Sequence, residues 1–303
     1  MKRLTVVLAL AFPICAASTA YAQTNFDSFV SSTGNDTNGC TRSAPCATYT
    51  RAFAQTITGG IIHAVDAGAY GVVNITRSIT IDGGGISSPL LTGGAVYQTN
   101  FSAQFYINAG ATDVVTIENM TIGGDHGSFS EGINVNAVGT LHVQNCLLIG
   151  YHDFGINFHA TGAELQVKDV TITDMPAGTG VYVANARASL EHVAIHATQT
   201  GVLSAGSSTV SITHSTANGN AEAFAAAYGS TAEIHIDDCM MTNNEWAVVV
   251  SQGSKGYVGR SSLFNNTVSA LFNDGSSFIY SYGTNQFAGN AADGAFTAGV
   301  LMK

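Results

Sequence analysis

Three stretches of the chain concentrate the side chains that acid-base chemistry and sugar recognition use. Glu131 precedes Asn134 and Asn136, the pair His152 and Asp153 precedes Asn157 and His159, and Asp174 precedes Tyr182. Carboxylates, imidazoles, amides and one aromatic ring are the inventory expected for gripping sugar hydroxyls or for working on a glycosidic bond. In a catalytic reading Glu131 pairs with Asp153 or Asp174, and His152 is the general base. In a binding reading Asn134, Asn136, Asn157, His159 and Tyr182 form the contact surface. Asp125 and His126 lie just upstream, and Asp125, Glu131 and Asp153 offer oxygen ligands for Ca²⁺. No dedicated metal loop is present, so the expectation is no cofactor and no metal site, with Ca²⁺ as the one possible addition. Acidic, Asn-rich loops are also ordinary turn chemistry, which is the competing account of every one of these residues.

What must position them is a repeat. Val115-Thr-Ile-Glu-Asn-Met-Thr-Ile122 recurs as Leu141-His-Val-Gln-Asn-Cys-Leu-Leu148 and Leu165-Gln-Val-Lys-Asp-Val-Thr-Ile172, then in segments opening at Ala188, Val210, Ile234, Gly256 and Phe278. A period of roughly two dozen residues marks a solenoid, whose units bury their apolar faces only by stacking. Apolar residues at the first and third positions of the phrase predict a strand with one face inside. They resume one step out of phase at the sixth and eighth, so the chain must bend at the fifth. A third alternation follows a variable loop: Ile133 and Val135, Ile156 and Phe158, Val181 and Val183, then Val202, Phe224, Val248 and Leu271. Three short strands per coil, each pairing with its equivalent about 4.8 Å away, make a parallel β-helix, right-handed by the usual crossover chirality. The fold class is therefore all-β, with a short N-terminal capping helix predicted from Ala52, Phe53, Thr56 and Ile57 over 48–57.

The bend column reads Asn119, Asn145, Asp169, His192, His214, Asp238, Arg260, Tyr282. Its imidazoles and carboxylates on neighbouring coils have a spacing that a metal could use. A hydrogen-bonded ladder of polar side chains is the favoured expectation.

Lys2 and Arg3, the apolar run Leu4 to Ile14 and the Ala20-Tyr21-Ala22 site predict a signal peptide over 1–22 and a secreted product, periplasmic or extracellular. The remainder divides into an opening loop and capping helix over 23–60 and the β-helix over 61–303. Removing Lys2 and Arg3 takes the formal charge from −10 to −12, and the remaining basic residues are scattered. That argues against a nucleic-acid partner, and against an anionic polysaccharide unless a divalent cation bridges it. No run is long enough for a transmembrane segment. Cys40 and Cys46 share a polar loop and are expected to form a disulfide. Cys146 and Cys239 occupy one inward column four coils apart, about 19 Å by the strand spacing, and are expected to be buried free thiols.

The chain resembles the right-handed β-helix proteins of the pectate-lyase-like superfamily. The likeness is sharpest in Phe29-Val-Ser-Ser-Thr-Gly-Asn-Asp36, Cys40 through Cys46, Ile61-Ile-His-Ala-Val65, Gly68-Ala-Tyr70 and Ile79-Thr-Ile-Asp-Gly83. The resemblance implies substrate on the strand after the long loop, which is where Asn134, Asn157 and Tyr182 fall. It does not settle activity, because that fold carries lyases, hydrolases, esterases and noncatalytic proteins. Asp237-Asp238 and Asp125-His126-Gly127 are partial echoes of the hydrolase signature, and Arg187 and Arg260 stand outside any lyase motif. The leading expectation is a polysaccharide or cell-surface glycan bound along the polar face of the early coils. A polysaccharide lyase or glycoside hydrolase is the alternative. A structural or adhesive protein is the third, with Leu203, Ala225 and Val249 meeting a protein partner.

Overall fold

The computed structural model describes residues 23–85, 103–124, 131–229 and 231–300; residues 1–22, with the expected signal peptide, and Asp125 and His126 lie outside them. The described residues hold one short helix, Tyr49–Gln55, and strands that pair in parallel from coil to coil. The chain folds as a right-handed parallel β-helix.

Register shows why the apolar columns matter. On the first sheet Ile117, Val143, Val167, Leu190, Ile212, Ile236 and Val258 are partners in succession. On the second, Ile122, Leu148, Ile172, Ile195, Ala217, Met241 and Leu263 follow one another. On the third, Ile133, Ile156, Val181, Val202, Phe224, Val248 and Leu271 do the same. All of these side chains are buried in one continuous core. A one-residue slip on any strand would turn a whole row outward, so burial fixes the register.

The bend between the first and second sheets is made by one left-handed residue per coil. Asn119, Asn145, Asp169, His192, His214, Asp238 and Arg260 have φ between +46 and +57°. That conformation reverses the pleat once, which is why the inward positions resume out of phase. Asn, Asp and His tolerate it better than most residues carrying a Cβ, so the column's composition has a backbone cause. Tyr282 does not belong to it: the pairing shifts between Val258 and Gly259, Gly259 faces Gly283, and Thr284 (φ +58°) takes the bend.

A second corner follows the second sheet, with Gly150, Asp174, Ala197, Gly219, Asn243, Asn265 and Gly289 in the same conformation. Immediately after it, in the later coils, runs an inward ladder of asparagines. Asn220 donates from Nδ2 to Asn244 Oδ1 (3.0 Å), Asn244 to Asn266 Oδ1 (3.2 Å) and Asn266 to Asn290 Oδ1 (2.8 Å). Each Oδ1 also accepts the backbone N–H of the asparagine one coil back.

At the N-terminal end Thr48 caps the helix by accepting the Arg51 N–H (3.1 Å). Tyr49, Ala52 and Phe53 then lie over the open core, with Tyr49 against the rings of Tyr70 (5.1 Å) and Phe105 (5.7 Å). The opening segment contributes more than a loop and a helix, since strand Asn25–Val30 pairs with Thr56–Ala64 and extends the first sheet. Cys40 and Cys46 are bonded across a Cα separation of 4.7 Å. The loop they close is short, so by chain entropy the bond contributes only about 2 kcal/mol. Cys146 and Cys239 are free and buried, and burial pushes both thiols up to about 12. At the other end Phe287 and Phe296 pack edge to face (5.9 Å) against the core. No helix among the described residues is long and apolar enough to cross a membrane.

Candidate functional site

The third sheet presents its polar side in the early coils. Outward Asn134, Asn157 and Tyr182 are register partners on consecutive coils. Two residues that the sequence reading passed over, Asn74 and Tyr106, extend that row by two coils. They sit where the apolar repeat is short and interrupted, so alignment of the phrase did not reach them.

A hydrogen-bonded chain joins these side chains. Glu131 is 8% exposed and accepts from Asn134 Nδ2 on one oxygen (2.5 Å) and from Asn157 Nδ2 on the other (3.1 Å). His159 spans two coils, with Nδ1 3.3 Å from Asn157 Oδ1 and Nε2 2.6 Å from Asn136 Oδ1. Asn136 Nδ2 donates to Asn108 Oδ1 (2.8 Å), and Asn108 Nδ2 donates to Asn74 Oδ1 (2.9 Å). Strand spacing thus sets polar groups about 4.8 Å apart along the axis, each oriented by the next. Asn134 Oδ1 is buried with no partner among the described residues. Tyr182 closes one side of the face, its ring 5.4 Å from that of Phe154.

The other proposed acid-base residues divide. His152 Nδ1 lies 2.7 Å from Asp153 Oδ1, in the loop that enters strand Phe154–Phe158. Phe154 in turn faces Glu131 across the sheet, so the His152–Asp153 pair borders the polar row. Asp174 is exposed at the second corner (φ +60°), in a column whose members also include Gly150 and Ala197. Among the described residues the one group of three possible metal ligands lying within 4.8 Å of one another is Glu191, His192 and His214; Asp125, one of the three carboxylates expected to offer oxygens to Ca²⁺, lies outside the described residues.

Further along the third sheet the outward row becomes Leu203, Ala225, Val249 and Phe272. Ala225 is only 1% exposed between its larger neighbours, so the contact surface expected there reduces to Leu203 and Val249, continued by Phe272 against Trp246 (5.0 Å). On the first sheet His235, Tyr257 and Tyr280 stack at 4.5 and 5.1 Å. Their faces cover one another, which leaves them as packing rather than a platform for a ligand.

The bend column does form a ladder in its early part: Asn119 Nδ2 donates to Asp82 Oδ1 (2.9 Å) and Asn145 Nδ2 to Asn119 Oδ1 (2.8 Å). The accepting carboxylate of Asp82 is held below its ordinary range: burial raises it, but the donors Asn119, Gly84 and His63 together outweigh that. A concavity of about 280 Å³ opens beside this ladder, lined by Asn119, Asn145, Asp169, Thr121 and Thr171.

With this geometry in view, the comparisons concern the fold. A family model described as right handed beta helix region matches residues 154–303. The chain is a right-handed parallel β-helix protein, and the early coils that carry the polar row lie ahead of most of the matched segment. No curated protein matches the chain. Among solved structures it is similar to a GH136 lacto-N-biosidase from Eubacterium ramulus, with 11% identity and a TM-score of 0.34, over 86% of this chain and 67% of that one.

Proposed function

We propose that this protein binds a polysaccharide along the outward face of the third sheet in the early coils, and that binding is its main task. The observation that supports this reading is the unbroken chain of oriented amides from Asn74 through Asn108, Asn136, His159 and Asn157 to Glu131 and Asn134. Amides offer both donors and acceptors, as sugar hydroxyls require. Glu131 orients two of them, one with each of its oxygens, which supports a positioning role for it. The net negative charge favours a neutral glycan, or an anionic one bridged by Ca²⁺.

Retention on immobilised polysaccharides, measured with and without Ca²⁺, tests the proposal. Asn157→Ala with His159→Ala is expected to reduce retention at least about tenfold, the loss of two or more hydrogen bonds, with a modest fall in melting temperature because Asn157 Nδ2 also satisfies one oxygen of the buried Glu131. Unchanged retention in that double variant rejects this face as the site.

The pair His152–Asp153 supports a second reading, in which an oriented imidazole abstracts a proton in a lyase or hydrolase reaction. New reducing ends or unsaturated uronide absorbance that disappear in His152→Ala would establish it, whereas retention without turnover favours the first.

A further inference from the structure

The bend column changes character in the middle coils. Asn119 and Asn145 show that an amide satisfies this position, yet the residues at the two coils after Asp169 are His192 and His214. The left-handed backbone tolerates imidazoles as it does amides and carboxylates, so it permits His192 and His214 without requiring them. What they add is nitrogen ligands, and a carboxylate stands beside them: one ligand atom each from Glu191, His192 and His214 lies within 4.8 Å of the others. The two rings are 5.4 Å apart, and both side chains are about half exposed.

The surroundings are those of a histidine-based metal site. Asp169 Oδ1 is 3.3 Å from His192 Nδ1, and Asp238 Oδ2 is 3.4 Å from His214 Nε2. Outer carboxylates of this kind fix the tautomer and aim the opposite ring nitrogen, here Nε2 of His192 and Nδ1 of His214. Lys168 Nζ holds Glu191 Oε2 at 3.1 Å, fixing the carboxylate beside the two imidazoles. We propose that Glu191, His192 and His214 bind one zinc ion on the outer side of the first bend. Two imidazoles and one carboxylate are a donor set that suits Zn²⁺, with water completing four-coordination at this open position. Ca²⁺ and Mg²⁺ prefer all-oxygen shells and are poorly served by it. The site lies at a different corner from the glycan face, and neither depends on the other.

The test is calorimetric titration of the chelator-treated full chain with Zn²⁺ alone. One equivalent is expected to bind to the unaltered protein. His192→Asn and His214→Asn each weaken binding at least about tenfold, and the double variant loses it. Asparagine is the replacement of choice because the same column accepts it at 119 and 145, so the melting temperature measured without metal stays unchanged. Asp169→Asn, which removes the carboxylate beside His192 Nδ1, weakens binding about tenfold. The proposal is overturned if the unaltered protein shows no saturable uptake, or if one equivalent still binds to the double variant.

Discussion

Replacing Asn244 by alanine is expected to lower the unfolding free energy by about 3 to 5 kcal/mol, a large part of the stability of an ordinary domain. The side chain is fully buried and links three coils. Its Oδ1 accepts from Asn220 N–H and Nδ2, and its Nδ2 reaches both Asn266 Oδ1 and Ala217 O. Truncation leaves the N–H of Asn220 without a partner and weakens the satisfaction of its amide and of the Ala217 carbonyl. Each such buried group costs on the order of 1 to 3 kcal/mol. Asn145→Ala is the informative comparison. Asn145 belongs to an exposed ladder, so water replaces the lost bond and what remains is the strain of alanine in a left-handed conformation, about 1 to 2 kcal/mol. Urea unfolding of the two variants side by side measures the difference; equal losses would mean that the inward ladder contributes nothing special.

Phe224→Ala is expected to cost a similar 3 to 5 kcal/mol through a cavity instead of through unpaired polar groups. Phe224 is fully buried and lies in register between Val202 and Val248. The void would therefore be shared by three coils. A solenoid is stabilised mainly by contacts between adjacent units, so a defect in the middle weakens the coupling between its halves. Calorimetry should show a lower and broader transition, split into two steps where the coupling is lost. Phe272→Ala, at an outward position 39% exposed, should change stability by less than about 1 kcal/mol. A sharp, single, undiminished transition for Phe224→Ala would contradict the stacked core.

Much of the architecture was legible because burial writes itself into the sequence as a period. Ile117, Val143 and Val167 recur at one interval and pair as the repeat requires. The bend was legible as a phase change, but its left-handed backbone, which admits Asn, Asp and His alike, was not. The inward asparagine ladder was missed because Asn220, Asn244, Asn266 and Asn290 look like loop residues, polar and next to Gly or Asn. Their recurrence every 22 to 24 residues was the available signal. In the polar face, the residue types were legible and their partnerships were not. Nothing in the spacing of Glu131, Asn134 and Asn157 says that the carboxylate would be buried and held at both oxygens, since that depends on side chains meeting across coils.

The two unpaired sulfhydryls turn the molecule into its own gauge of breathing. Cys146 sits among the earlier coils, beside the concavity at the first bend, and Cys239 among the later ones, and both are buried. Burial raises the pKa of both thiols, so the closed form is expected to react slowly with an alkylating reagent and an opened coil faster. Labelling rates at the two positions therefore clock the two halves independently, and show which end of the stack comes undone first.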